Sequence, residues 1–237
     1  MNLRADILNY SYKNKCGHIA SAFSMVDYCE VLFTNKIVTR DDYIVLGKPF
    51  GSQAYYTLWK EIGWLDSIDN LNAGVKHDEI PFVYFSEETM GNALGVAGGI
   101  ALATDKKIWV NLSDASLQMG NTLEAIQFIG HNKLSNIFVT IDYNNAQVTG
   151  SILNILSVEP VIDFFKNNGW CLYQVDGHDK SLLFDTFQKL DYQSPTVIIC
   201  HTKKGYGVDI IENDIQKWHY NKIANEEELL LLLDKLY

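Results

Sequence analysis

The sequence predicts an α/β fold: a doubly wound, mostly parallel sheet flanked by helices. Short apolar runs rich in β-branched residues recur along the chain, and stretches with helical periodicity lie between them. Apolar runs without strict polar alternation suit strands buried on both faces of a parallel sheet. Their alternation with helices implies right-handed crossover connections. Bulk composition agrees: 237 residues with 47% hydrophobic and 20% charged side chains suit one α/β domain and argue against disorder.

The elements follow in order. The opening MNLRADILNYSYKNK is amphipathic and polar, with no signal-peptide core. Helical periodicity covers about 24–34, the first apolar run is 43–46, and a second helix spans about 51–63. The stretch 91–104 is helical and carries Gly91, Gly95, Gly98 and Gly99. It follows no clear strand with dinucleotide-binding spacing, so its small residues are expected to let a helix pack against another backbone. The remaining runs are 108–112, 137–141, 171–175 and 196–200, with helices at about 120–132, 159–168 and 180–190. No linker, repeat or low-complexity segment divides the chain, so residues 1–237 read as a single domain. The ending NEEELLLLLDKLY reads as a short helix from about residue 224. Its five leucines are too few to cross a bilayer and are expected to dock on the body or on a partner.

Composition also excludes functions. The net charge is −10 and no dense basic stretch exists, which argues against general nucleic-acid binding but not against a local phosphate pocket. No run of about 18 apolar residues marks a membrane span. Cys16, Cys29, Cys171 and Cys200 form no CxxC pair and have no metal-ligand spacing. They read as buried thiols in a reducing, cytoplasmic compartment.

Ligands of doubly wound sheets bind beyond the carboxyl ends of the strands. Two loops there are informative: Ser113-Asp114-Ala115-Ser116 and Asp142-Tyr143-Asn144-Asn145-Ala146-Gln147, with Asp114 and Asn144 thirty residues apart. If their strands are neighbours, a carboxylate, an amide oxygen and a backbone carbonyl converge. That set suits Mg²⁺ or Ca²⁺ with the remaining ligands supplied by a substrate phosphate. Equally, Asp114 can cap the following helix and Asn144 can be a turn residue.

The residues around these loops resemble the thiamine-diphosphate-binding half of transketolases. Lys133-Leu134-Ser135-Asn136, the run 137–141 and Asp142-Tyr143-Asn144-Asn145-Ala146-Gln147-Val148-Thr149-Gly150 follow the family's second signature nearly in register. Gly17-His18-Ile19-Ala20, Asp176-Gly177-His178-Asp179, and Thr202-Lys203-Lys204-Gly205-Tyr206-Gly207 with Glu212-Asn213 and Trp218-His219 match further segments in the same order. The resemblance spans about residues 3 to 222. It implies that Asp114, Asn144 and the Ala146 carbonyl hold Mg²⁺ (or Ca²⁺) and that His219 reaches the cofactor diphosphate. It further implies that Ala115 approaches a phosphate through its N–H, that Thr89 and Met90 pack on the aminopyrimidine, and that His18 lies near the substrate carbons. His18 and His219 are thus the expected catalytic residues. Without the resemblance each reads as an ordinary surface or turn histidine, and His131 and His178 read as helix-end or loop histidines. The glycine-bearing helix at 91–104 corresponds to one at the family's subunit interface.

The pattern is broken in four places. Gly-Asp-Gly has become Ser113-Asp114-Ala115, which is tolerable if Ala115 has negative φ. The family's Ser-Lys-Gly-His has become Gly47-Lys48-Pro49-Phe50. Glu88 stands where a glycine is usual, and Met119 replaces a glutamate while Glu124 is retained. The family also takes from a second domain the glutamate that activates the cofactor. The expectation is therefore a split enzyme, active only with a second transketolase-like subunit carrying the pyrimidine-binding and C-terminal domains, in an α2β2 assembly. It would transfer a two-carbon ketol unit between small sugars, with Phe50 suggesting a specialised substrate. A thiamine-dependent carboligase or decarboxylase acting on a 2-oxo acid is the alternative enzyme. A partner subunit that has lost cofactor binding is the non-catalytic one.

Overall fold

A computed structural model describes residues 2–69, 71, 74, 75 and 79–236. The elements are α1 Leu3–Lys13, α2 Ile19–Thr34, β1 Tyr43–Leu46, α3 Gln53–Glu61, β2 Val83–Ser86, α4 Ala93–Ala101 and β3 Ile108–Ser113. A 3₁₀ turn, Asp114–Gln118, leads into α5 Gly120–His131, followed by β4 Ile137–Tyr143, β5 Ala146–Gln147, β6 Gly150–Ser151, α6 Ile152–Ile155 and α7 Glu159–Asn167. The chain continues through β7 Cys171–Asp176, α8 Lys180–Gln188, β8 Thr196–His201, α9 Asp209–Glu212, α10 Lys217–Tyr220 and α11 Glu226–Asp234.

Six strands form one sheet in the order β2-β1-β3-β4-β8-β7, and every pairing in it is parallel. The five expected apolar runs are all strands, because each is buried between helices on both faces of the sheet. The sixth strand, β2, was not anticipated. It is four residues long at the sheet edge and alternates in burial, with Tyr84 exposed, so its apolar signal is weak. The polar-looking start of the chain is helix α1, capped by the Asn2 side chain, with Leu3, Ile7 and Leu8 buried.

One core lies around α2, which is buried on nearly every side, and gathers α1, α3 and the buried leucines of α11. The other lies under α4, α5 and α7. Helix α11 docks Leu229 and Leu232 into the first core and leaves Leu230 and Leu231 exposed, so the leucine run is amphipathic. The β3–β4 register places Ser113 beside Asp142, and the β4–β8 register places Tyr143 beside His201. The carboxyl ends of the central strands therefore finish level. The chain order also reverses between β1 and β3, so this is the crevice where doubly wound sheets take ligands.

Gly130 shows how tightly the second layer is packed. A Cβ there would collide with the backbone carbonyl of Asn168, and the nearby Trp170 indole donates to the Ile126 carbonyl at 3.0 Å. Gly130→Ala gains about 1 kcal/mol of helix propensity but loses about 1–3 kcal/mol to overpacking against a backbone that cannot yield. Urea unfolding is expected to show a net loss of stability.

Candidate functional site

The loops beyond β1, β3 and β4 meet the segments around His18, Lys204 and His219 in a cavity of about 360 Å³. Its lining includes His18, Lys48, Phe50, Asp114, Asn144, Ala146, Lys204 and His219. Ala115, Met90 and Glu88 also line it. Thr89 is exposed and is not part of the lining.

Asp142, fully buried at the end of β4, organises the floor. Its carboxylate accepts from Lys48 Nζ, from Ser24 Oγ at 2.7 Å, from Thr202 Oγ1 and from Asn144 Nδ2 at 2.8 Å. Burial alone would raise its pKa, but the Lys48 ammonium and the two hydroxyls outweigh that and hold the carboxyl below its ordinary range. Because Asn144 spends its amide N–H groups on Asp142 and Ser24, its Oδ1 points the other way and accepts the Ala146 N–H at 3.0 Å.

Asp114 begins the 3₁₀ turn after β3. Its Oδ1 accepts the Ala115 N–H at 2.8 Å and its Oδ2 the Asn145 N–H at 2.7 Å. The helix-start and turn readings of Asp114 and Asn144 are thus realised, and the same contacts aim their oxygens into the cavity. Among the described residues, no cation bonds Asp114. Burial, with Asp142 nearby, raises its pKa to about 7. A buried carboxylate with spare lone pairs, an amide oxygen and the Ala146 carbonyl form a hard-oxygen set that a divalent ion would neutralise.

The opposite wall is cationic or neutral. Lys204 Nζ donates to the Ala146 carbonyl at 3.2 Å and to His219 Nδ1 at 3.0 Å. Burial and Lys48 lower its pKa to about 8. With Nδ1 accepting, His219 carries its proton on Nε2. Burial, then Lys204, pulls its pKa down to about 3, and the same causes pull His18 to about 4. His18 stacks on Phe50 with ring centroids 4.7 Å apart, and its Nδ1 is buried without a partner among the described residues. The two histidines are 4.9 Å apart. The contact requires Gly17: a Cβ there would strike the Tyr220 carbonyl, and the His18 N–H donates to the His219 carbonyl at 3.1 Å. An orphaned imidazole nitrogen, an un-neutralised carboxylate and a lysine crowded by another cation fit a bound metal–diphosphate group, which supplies charge of the missing sign on each side.

The departures in sequence are accommodated. Ala115 is not among the positive-φ residues, so its Cβ costs the loop nothing. Glu88 lines the cavity, whereas Glu87, its buried neighbour, accepts from the N–H groups of Gly91, Asn92 and Ala93 at the start of α4. Phe50 also pairs through its backbone with Gly74. Sequence reasoning missed Lys48, Lys204 and Glu87. Lys204 alone had a signal, its place in the Lys-Lys-Gly-Tyr-Gly segment.

The family described as "Transketolase, thiamine diphosphate binding domain" matches residues 96–229, and the chain belongs to it. One of the two subunits named for apulose-4-phosphate transketolase in Phocaeicola vulgatus is 27% identical over 247 residues, covering 94% of this chain and 88% of that protein. The human transketolase-like protein 2 is also 27% identical, but the match covers 94% of this chain and 40% of that protein. The transketolase structure from Leishmania mexicana superposes with a TM-score of 0.81 at 20% identity, over 99% of this chain and 39% of that one. The chain therefore spans most of the apulose-4-phosphate transketolase relative and about two-fifths of the longer transketolases.

Two outcomes follow. Lys48→Met leaves the Asp142 carboxylate buried and unpaired, and it is expected to cost about 3–5 kcal/mol in urea unfolding. His18 and His219 have pKa values below those of the unfolded chain, where the ordinary value is 6.5. The unfolded chain therefore binds more protons across that interval, and the histidine contribution to stability is lost as pH falls from 6.5 toward 3–4. Imidazole NMR titration should show both rings neutral above pH 5.

Proposed function

We propose that residues 1–237 form one thiamine-diphosphate- and Mg²⁺-binding domain, which serves as half of a two-chain transketolase. The observation that carries this is the cavity with opposed charge: oxygens of Asp114, Asn144 and Ala146 on one side, Lys204, His219 and His18 on the other. Asp114, Asn144 and the Ala146 carbonyl would hold the metal, with Ca²⁺ as the nearest substitute. His219 Nε2–H and the Ala115 N–H would donate to the diphosphate, and Met90 would pack on the aminopyrimidine. Thr89, on the same loop but outside the lining, would reach the cofactor only with a partner seated.

When bound, thiamine diphosphate supplies the carbanion chemistry that two-carbon ketol transfer needs. The chain's own part is to bind and orient. Lys204 keeps the Ala146 carbonyl and His219 in place, and Asp142 fixes the Asn144 amide. His18, neutral and beside Phe50, would contact the sugar with its free nitrogen. The partner would bring the pyrimidine-binding and C-terminal domains and the activating carboxylate, in an α2β2 assembly. The apulose-4-phosphate transketolase relatives, which are named as subunits and match over nearly their whole length, support the split. Their name, together with Phe50, supports a specialised phosphorylated ketose over the usual pentose phosphates. No helix among the described residues is long and apolar enough to cross a membrane, which is compatible with a cytoplasmic enzyme.

Calorimetry of thiamine diphosphate in Mg²⁺, with the partner present, tests the reading. Asp114→Asn removes the charge and is expected to weaken binding by about 10–100-fold. Coupled assays with ketose donors should show transfer to an aldehyde. Turnover of pyruvate instead would identify the carboligase reading, and no cofactor binding by the mixed chains would identify a non-catalytic partner.

A further inference from the structure

We propose that His178 is a positioning residue for the cofactor site: oriented by Asp27, its ring holds the Lys203–Lys204 turn so that Lys204 reaches Ala146 and His219. The role of Lys204 toward a diphosphate rests on the function proposed above. Its placement by His178 is read from contacts alone.

His178 follows β7 and is nearly buried. Its Nε2 accepts the backbone N–H of Lys203 at 2.8 Å. A backbone N–H only donates, so Nε2 is unprotonated and the neutral ring carries its proton on Nδ1. That Nδ1 meets Asp27 Oδ2 at 2.8 Å, which makes it a donor to the carboxylate. Asp27 lies inside the otherwise apolar α2 and is 3% exposed. Arg4 grips it with two N–H groups, at 3.0 and 2.6 Å. Burial would raise the pKa of Asp27, but His178 and Arg4 prevail and hold it low. The face of the ring is covered by Tyr206, stacked with centroids 3.7 Å apart and planes 15° from parallel. Arg4 Nε closes the arrangement by donating to the Tyr206 carbonyl at 2.8 Å.

These contacts converge on one short segment. On one side of Lys204, the Lys203 N–H is held by His178. On the other, the Gly205 N–H is held by the Ala20 carbonyl at 3.0 Å. Lys204 itself is 5% exposed and turns into the cavity. A lysine side chain carries considerable rotamer freedom, so a fixed backbone on both sides reduces what must be ordered when an anion arrives. The arrangement resembles the way a carboxylate fixes the tautomer of a working histidine, except that the atom positioned here is a backbone nitrogen. His178 touches no residue assigned to metal or cofactor, so it acts through Lys204.

The test uses the full chain as wild type, His178→Phe, Lys204→Met and the double variant. His178→Gln is the conservative form, because its amide oxygen stands near Nε2 and can accept the Lys203 N–H. Hydrogen exchange and calorimetric titration with thiamine diphosphate in Mg²⁺ are measured on each. His178→Phe should exchange faster across residues 202–207 while the central strands stay protected. Its affinity should fall by about tenfold, the loss of one hydrogen bond to a positioned group. In the Lys204→Met background the same change should cost less than about twofold, because the two act as one unit. His178→Gln should recover most of the loss. A tenfold loss that persists without Lys204, or unchanged exchange at 202–207, overturns the proposal. If the wild type binds no cofactor, the functional reading fails and the exchange arm decides: faster exchange in His178→Phe, restored in His178→Gln, upholds the positioning role. Should His178→Phe not fold, His178→Asn, too short to reach Lys203, takes its place with the same expectations.

Discussion

The buried carboxylate of Asp142 is the constraint around which the site is arranged. It draws together Lys48 from the loop after β1, Ser24 from α2, Thr202 from the end of β8 and Asn144 from its own loop. A lone carboxylate at that depth would be costly, so these partners are bound to converge on it. In doing so they align the three loops that line the cavity and orient the Asn144 amide. The oxygen side of the site therefore depends on a charge that never faces the ligand.

The opposite side is built on a different principle. Lys204, His18 and His219 are held by backbone approach and packing rather than by an ion pair: Gly17 lies against the Tyr220 carbonyl, and the Lys203–Lys204 turn is fixed from below. Desolvation keeps both imidazoles neutral and makes Lys204 readier to lose its proton. The two walls thus carry opposite and incomplete charge. That is the condition under which a metal and a diphosphate bind better together than either would alone. A net charge of −10 is no obstacle, because the local field is set by a few buried groups and not by the surface sum.

Much of the fold was legible. The five central strands are runs whose residues are apolar on both faces, and burial on both faces is a local property of composition. The edge strand β2 and helix α1 were not legible, because one alternates over only four residues and the other mixes its apolar positions with Asn, Tyr and Lys. Within the site, Asp114, Asn144 and Ala146 could be named because their spacing follows from two neighbouring parallel strands of similar length. Phe50 was visible as a departure, but its stacking on His18 was not.

By itself the sequence determined the α/β class, the strands that form the sheet centre, the family, and the pair of loops from which oxygen ligands project. Those are properties of residue type and of separations within a strand–helix–strand unit. Only the tertiary structure decided that Lys48 neutralises Asp142 across 94 residues, that Glu87 rather than Glu88 caps α4, and that His178 faces Asp27 across 151 residues. Such partnerships have no periodicity and no short spacing. They exist because the crossover connections bring distant loops to one end of the sheet, where buried polar groups must find whatever partner lies within reach.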